Sequence, residues 1–217
     1  TQRRHQKLIE EAPGPHIDAK KRDDVCKAAA RLIKNAGYAG AATVEFLMDG
    51  KQNFYLLEVN TRVQVEHPVT ELITGVDIVA TGIRVASGEA LPMRQRDVKV
   101  TGHAIECRIN AEDWRRGFMP SAGTIERFDA PGGPGVRLDT HARAGYTVPP
   151  NYDSMIAKLI VHGDDRAHCI ARTKRALDEF RIEPLKTTIG LHRELMDNGS
   201  FVKGGVDIHF LERLLAG

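Results

Sequence analysis

Between Leu56 and Pro68 the chain alternates. Glu58, Asn60, Arg62, Gln64 and Glu66 fall on one side of an extended strand, and Leu57, Val59, Thr61, Val63 and Val65 on the other. The apolar side is expected to face a core. Residues 43–47 read as an antiparallel partner, joined through the turn-like stretch 48–53, and that hairpin sets Glu45 alongside Glu58.

Helical spacing appears elsewhere. Asp18 is placed to cap a helix running to about Asn35, with Val25, Ala28, Ala29, Leu32 and Ile33 as its apolar stripe and Gly37 beyond its end. Two further helices are expected over 69–75 and 77–87, separated at Gly75. Residues 2–11 read as a strand with His5 and Lys7 on one side, stopped by Ala12-Pro13-Gly14-Pro15. After Met93 the pattern turns to strands. Residues 98–110 alternate, with His103, Ile105, Cys107 and Ile109 on one side and Ala104, Glu106, Arg108 and Asn110 on the other. More strands are expected near 124–128, 135–139 and 155–162, and helices over about 165–180, 187–196 and 209–215. The expected class is α+β, with antiparallel sheets and packed helices, divided into units 1–97 and 98–217.

The polar side of 58–66 carries chemistry that an ordinary wet strand face does not need. Glu45, Glu58 and the Asn60 amide offer hard oxygen ligands, which suit Mg2+ or Mn2+ shared with nucleotide phosphates. Arg62 adds a planar fork of donors for a small oxyanion, and Glu66 a base beside it. For Arg108 the alternative to a functional cation is a surface ion pair with Glu106 or Glu112.

Composition narrows the partners. Across 217 residues the formal charge is +2, which gives no case for nucleic acid or an anionic membrane surface. Cys26, Cys107 and Cys169 lie far apart, are odd in number and form no CxxC pair, so neither a disulfide framework nor a zinc site is expected, and a reducing cytoplasm is the simplest location. Cys26 reads as helix packing. No apolar run approaches a membrane span. Gly132-Gly133-Pro134-Gly135 reads as a turn, not a phosphate-cradling loop.

Glu58-Val59-Asn60-Thr61-Arg62-Val63 resembles the carboxylate-Asn-Arg signature of ATP-grasp enzymes, and Gln64-Val65-Glu66-His67-Pro68-Val69-Thr70-Glu71 resembles biotin carboxylase. Arg3-Arg4-His5-Gln6-Lys7, Gly102 to Asp113, and Gly145-Tyr146-Thr147-Val148-Pro149-Pro150 fit the same family in the same order. The likeness covers essentially the whole chain. It implies the C-terminal part of an ATP-grasp fold followed by the biotin carboxylase C-terminal domain, with the N-terminal domain and lid absent. It also implies the reaction, ATP-dependent carboxylation of biotin by bicarbonate through carboxyphosphate.

The resemblance assigns roles residue by residue. Glu45, Glu58 and Asn60 match metal ligands, and Gln2 and His5 match ATP contacts. Leu47 and Ile208 match apolar contacts of the adenine, with core packing as their alternative. Lys7, Arg62, Gln64 and the Val65 amide match the bicarbonate site, Glu66 the base, and Arg108 the cation that stabilises the biotin ureido oxygen. A biotin carboxyl carrier protein and a carboxyltransferase are the implied partners, as in bacterial acetyl-CoA carboxylase and fatty acid biosynthesis. The chain stops soon after Leu214-Leu215 without a carrier motif, which favours a separate subunit, and a piece of a longer multidomain carboxylase would end in the same way. A homodimer is also implied, although Pro134 stands where the family has an aromatic near the dimer-contact position Arg137. Two rival readings are a carbamoyl phosphate synthetase-type ligase, against which Gln64 to Pro68 speaks, and a non-catalytic assembly module.

Overall fold

A computed structural model describes residues 1–3 and 6–216, so His5 lies outside the described residues. Two compact units are present: Thr1–Pro13 with Thr101–Gly217, and Gly14–Val100. Thr1–Pro13 group with the residues after Val100 and not with Gly14–Val100. The cause is strand pairing over a long sequence distance.

The N-terminal stretch is not one strand. Gln2–Arg3 (β1) pairs antiparallel with Gln6–Lys7 (β2), with Gln2 opposite Lys7 and Arg3 opposite Gln6. Ile9–Ala12 (β3) then joins a four-stranded sheet through His103–Asn110 (β6), with Ile9 opposite Cys107 and Ala12 opposite Ala104. The sheet order is Val136–Thr140, Met155–Gly163, β6, β3, and every pairing in it is antiparallel. β6 lies inside the sheet with both edges paired, and its expected inward and outward faces are both covered. Ala104, Ile105, Glu106, Cys107 and Ile109 are all fully buried.

Arg166–Glu179 (α4) packs on this sheet, burying Cys169, Ile170, Thr173, Ala176 and Leu177. Asp165 caps it, accepting from the His168 N–H at 2.8 Å. The approach is close: a Cβ on Gly163 would stand 2.4 Å from the Cys169 nitrogen, so only glycine lets the strand end meet the helix start. Ile189–Asp197 (α5), the short Gly199–Lys203 (α6) and Phe210–Leu215 (α7) complete the unit.

In the other unit, Ala19–Asn35 (α1) is followed by Thr43–Met48 (β4), Phe54–Asn60 (β5), His67–Thr74 (α2) and Ile78–Ala86 (α3). The β4–β5 hairpin has the expected register, with Glu45 opposite Glu58. Asp49 builds its turn by accepting from the Lys51 and Asn53 N–H groups, each at 2.9 Å. Two expectations fail here. The strand stops at Asn60 and does not continue to Glu66, because Gln64 O receives the His67 N–H and lies 2.8 Å from His67 Nδ1, folding the chain into the start of α2. The apolar side does not enter a core either. The sheet has only two strands, and Leu57 is 57% and Val59 38% exposed.

Candidate active site

The expected metal ligands come together on the hairpin. Asn60 Nδ2 donates to Glu58 Oε1 at 2.8 Å and to Glu45 Oε1 at 3.3 Å, and Gln64 Nε2 donates to the same Glu45 oxygen at 2.7 Å. Two carboxylates facing each other across a strand pair repel, and amide hydrogens partly neutralise them. Among the described residues no group of three or more His, Cys, Asp or Glu side chains is assembled, so this donor set is two carboxylates with amides. That composition fits Mg2+, which binds through few protein carboxylates and fills its remaining positions with water or phosphate oxygen.

The short segment after Asn60 carries the anion-binding candidates. Arg62 is exposed, with Nη1 donating to the Val63 carbonyl at 3.3 Å. Gln64 is buried, and Glu66 sits just before the first turn of α2, with Pro68 inside that turn. Thus Arg62, Gln64 and Glu66 present their side chains from a loop instead of from the strand face that their spacing suggested. Tyr38 steadies the loop's start by donating to the Thr61 carbonyl at 3.1 Å. Leu47, on β4, is 52% exposed, so the core-packing alternative does not hold for it.

In the other unit, the backbone of Arg108 is set beside the residue that follows Lys7. The Arg108 N–H donates to the carbonyl of Leu8, the next residue after Lys7, at 3.1 Å. The guanidinium is mostly buried and pairs with Glu10, Nε lying 2.6 Å from Oε1. The sequence did not point to Glu10 as a partner for this guanidinium. The reason is topological: β3 lies beside β6 and carries Glu10 opposite Glu106, a neighbour 98 residues away in sequence from Arg108. On the other side of its backbone, the Arg108 carbonyl accepts from the Thr188 hydroxyl at 3.0 Å and lies 2.8 Å from His192 Nε2. Gln2 Nε2 reaches the Ile208 carbonyl at 3.5 Å, which gathers two of the expected nucleotide contacts, and Ile208 is 53% exposed.

Sequence reasoning missed Glu10, Thr188 and His192, each of which fixes Arg108. No local spacing marks them. The only available signal was the acidic character of Glu10 on a strand whose partner was unknown.

Residues 106–213 match the Biotin carboxylase C-terminal domain and residues 1–94 the Carbamoyl-phosphate synthase L chain, ATP binding domain. Biotin carboxylase of Pseudomonas aeruginosa is 54% identical over 99% of this chain, and that of Allochromatium vinosum 55% over 99%; each alignment covers 47% of the relative. Among solved structures, the biotin carboxylase domain dimer of Hydrogenobacter thermophilus 2-oxoglutarate carboxylase, in complex with MgADP, ADP and bicarbonate, superposes with a TM-score of 0.96 at 46% identity. That match covers 98% of this chain and 47% of the other. The chain spans about half the length of the curated relatives it matches. Matched end to end by relatives of one kind, it belongs to the biotin carboxylase family.

Proposed function

We propose that the protein to which this chain belongs carboxylates biotin on a carrier protein, using bicarbonate and ATP, and passes the carboxyl group to a carboxyltransferase component. The observation that carries the reading is the convergence of Glu45, Glu58, Asn60 and Gln64 on one oxygen-rich cluster, in a chain of this family. Glu45, Glu58 and Asn60 would hold Mg2+, which when bound neutralises charge on phosphate oxygens.

The chain's own residues do the rest. Lys7, Arg62, Gln64 and the Val65 N–H bind bicarbonate and hold an oxygen in line for phosphorylation. Glu66, beside Arg62, takes the proton that bicarbonate loses. Gln2, His5, Leu47 and Ile208 hold the nucleotide. Carboxyphosphate then releases CO2, and the phosphate set free accepts the biotin N–H proton. Arg108 stabilises the negative charge this leaves on the ureido oxygen, from a position fixed by Glu10 and by the bonds to its own carbonyl. The dimeric relative supports a homodimer as the working assembly.

The match of residues 1–94 to a carbamoyl-phosphate synthase domain keeps a second ATP-grasp ligase in view, and one experiment separates the two. In the full-length protein, ATP cleavage is expected to require bicarbonate. Arg62→Ala should raise the KM for bicarbonate about tenfold, and Arg108→Ala should lower biotin carboxylation about a hundredfold while slow bicarbonate-dependent ATP cleavage persists. ATP turnover indifferent to both biotin and bicarbonate sinks the reading.

A further inference from the structure

The β1–β2 hairpin has two faces, and only one is used above. Gln2 and Lys7 are directly opposed in the register, so their side chains share one face, and Arg3 and Gln6 share the other. Gln2 reaches out to the Ile208 carbonyl, as its face requires. Arg3 goes the opposite way, into the protein, and is only 9% exposed.

Its guanidinium ends in a built setting. Nη2 pairs with Glu112 Oε1, Nη1 donates to Gln6 Oε1 at 3.1 Å, and the group lies 5.0 Å from the centroid of the Phe118 ring. Glu112 is 5% exposed, and the same oxygen also accepts from the Ser154 hydroxyl. Ser154 Oγ in turn accepts from Asn110 Nδ2 at 3.0 Å, and the Asn110 N–H donates to Thr188 Oγ1 at 3.0 Å, the hydroxyl that also binds the Arg108 carbonyl. One continuous buried network therefore runs from the back of the hairpin to the backbone of Arg108.

We propose that Arg3 and Glu112 are positioning residues that hold Lys7 at the bicarbonate site in fixed relation to Arg108. The inference rests on the bicarbonate role given to Lys7 under the proposed function. A hairpin of two-residue strands has few ladder hydrogen bonds of its own, and the backbone bonds of Thr1 to Leu8 and Ile9 hold its first residue without reaching the Arg3 side chain. A buried charge pair defines the hairpin's position, because any displacement that separates Arg3 from Glu112 strands both charges in the interior. The ion pair thus acts on catalysis without touching substrate. A cavity of about 250 Å3 beside Arg3, Glu112 and Ser154 gives the hairpin somewhere to move once the pair is broken.

The test uses the full-length protein and the KM for bicarbonate in bicarbonate-dependent ATP cleavage. Arg3→Met keeps an unbranched apolar stem and loses the charged end. It is expected to raise that KM about tenfold, since a misplacement of roughly 1 Å is enough to cost a large factor. Placed on top of Lys7→Met, the same substitution is expected to add nothing, because Arg3 acts through Lys7. A merely structural role would add its effect in both backgrounds. If Arg3→Met fails to fold, the near-isosteric Glu112→Gln replaces it with the same expectations. A bicarbonate KM left within about twofold, or an effect that multiplies with Lys7→Met, overturns the proposal. A wild-type protein whose ATP cleavage ignores bicarbonate instead overturns the functional reading on which it rests, before any variant is compared.

Discussion

Glu11→Ala is expected to destabilise the unit containing β3 and β6 by about 3–5 kcal/mol, the cost of removing one partner from a buried ion pair. Glu11 is the centre of a three-residue cluster. Arg166 grips it with two nitrogens, Nε at 2.7 Å from Oε2 and Nη2 at 3.1 Å from Oε1, and His103 Nε2 lies 3.0 Å from Oε2. All three side chains are largely buried. Arg166 also donates to the Phe201 carbonyl at 2.8 Å and stacks over the Phe201 ring at 5.3 Å, so Glu11 orients a cation that ties α4 to α6. Alanine leaves that guanidinium without its counter-charge. Glu11→Gln, which keeps the shape and loses only the charge, should cost less. Burial by itself pushes the Glu11 carboxyl up, but the bonds from His103 and Arg166 outweigh it and hold its pKa below the ordinary value. The pair's contribution is therefore complete at neutral pH and is lost as pH falls through that lowered pKa. Urea unfolding followed by Trp114, the single tryptophan and a residue packed against the core of this unit, reads the difference. A midpoint equal to that of the wild type at pH 7 would show that the cluster contributes no net stability.

How much of this was legible in the sequence depends on range. The β4–β5 hairpin and the opposition of Glu45 and Glu58 were legible because their signals are local, an alternating strand and a partner either side of a turn; the register shift between Glu45 and Phe46 was not. The span of α4, expected over about 165–180, was legible for the same reason. The strand end at Asn60 was not. Arg62, Gln64 and Glu66 continue the period of two beyond the strand end, and periodicity cannot tell side chains on a loop from side chains on a pleat. The exposed Leu57 shows a second limit: an apolar face announces that something covers it without saying what. The partners of Arg108 show a third. Glu10 is brought in by a strand pairing across most of the chain, and Thr188 and His192 by helix packing, none of which leaves a local mark.

His192 provides the second large effect, and its sign follows from burial. The ring is fully buried, with Nε2 2.8 Å from the Arg108 carbonyl, and burial takes its pKa down to about 4. In the unfolded chain a histidine titrates near about 6.5. Between these values the unfolded state holds a proton that the folded state does not, so stability rises with pH through the window and falls as the solution is acidified. Its full contribution is present above about pH 6.5, and by pH 4 about 3 kcal/mol of it is lost, from roughly 2.5 units at 1.36 kcal/mol each less the half-protonation of the folded ring. His192→Gln should keep a donor within reach of the Arg108 carbonyl and remove the titration. The variant is therefore expected to start less stable or equal at pH 7 and to gain on the wild type steadily as pH drops toward 4. If the difference in unfolding free energy between the two proteins stays constant from pH 7 to 4.5, the neutral buried ring is not what sets the acid response. The cost of acid falls on burial and not on the bond to Arg108: the charged ring would still donate through Nε2 to the Arg108 carbonyl, and more strongly, while the new charge would sit in the interior.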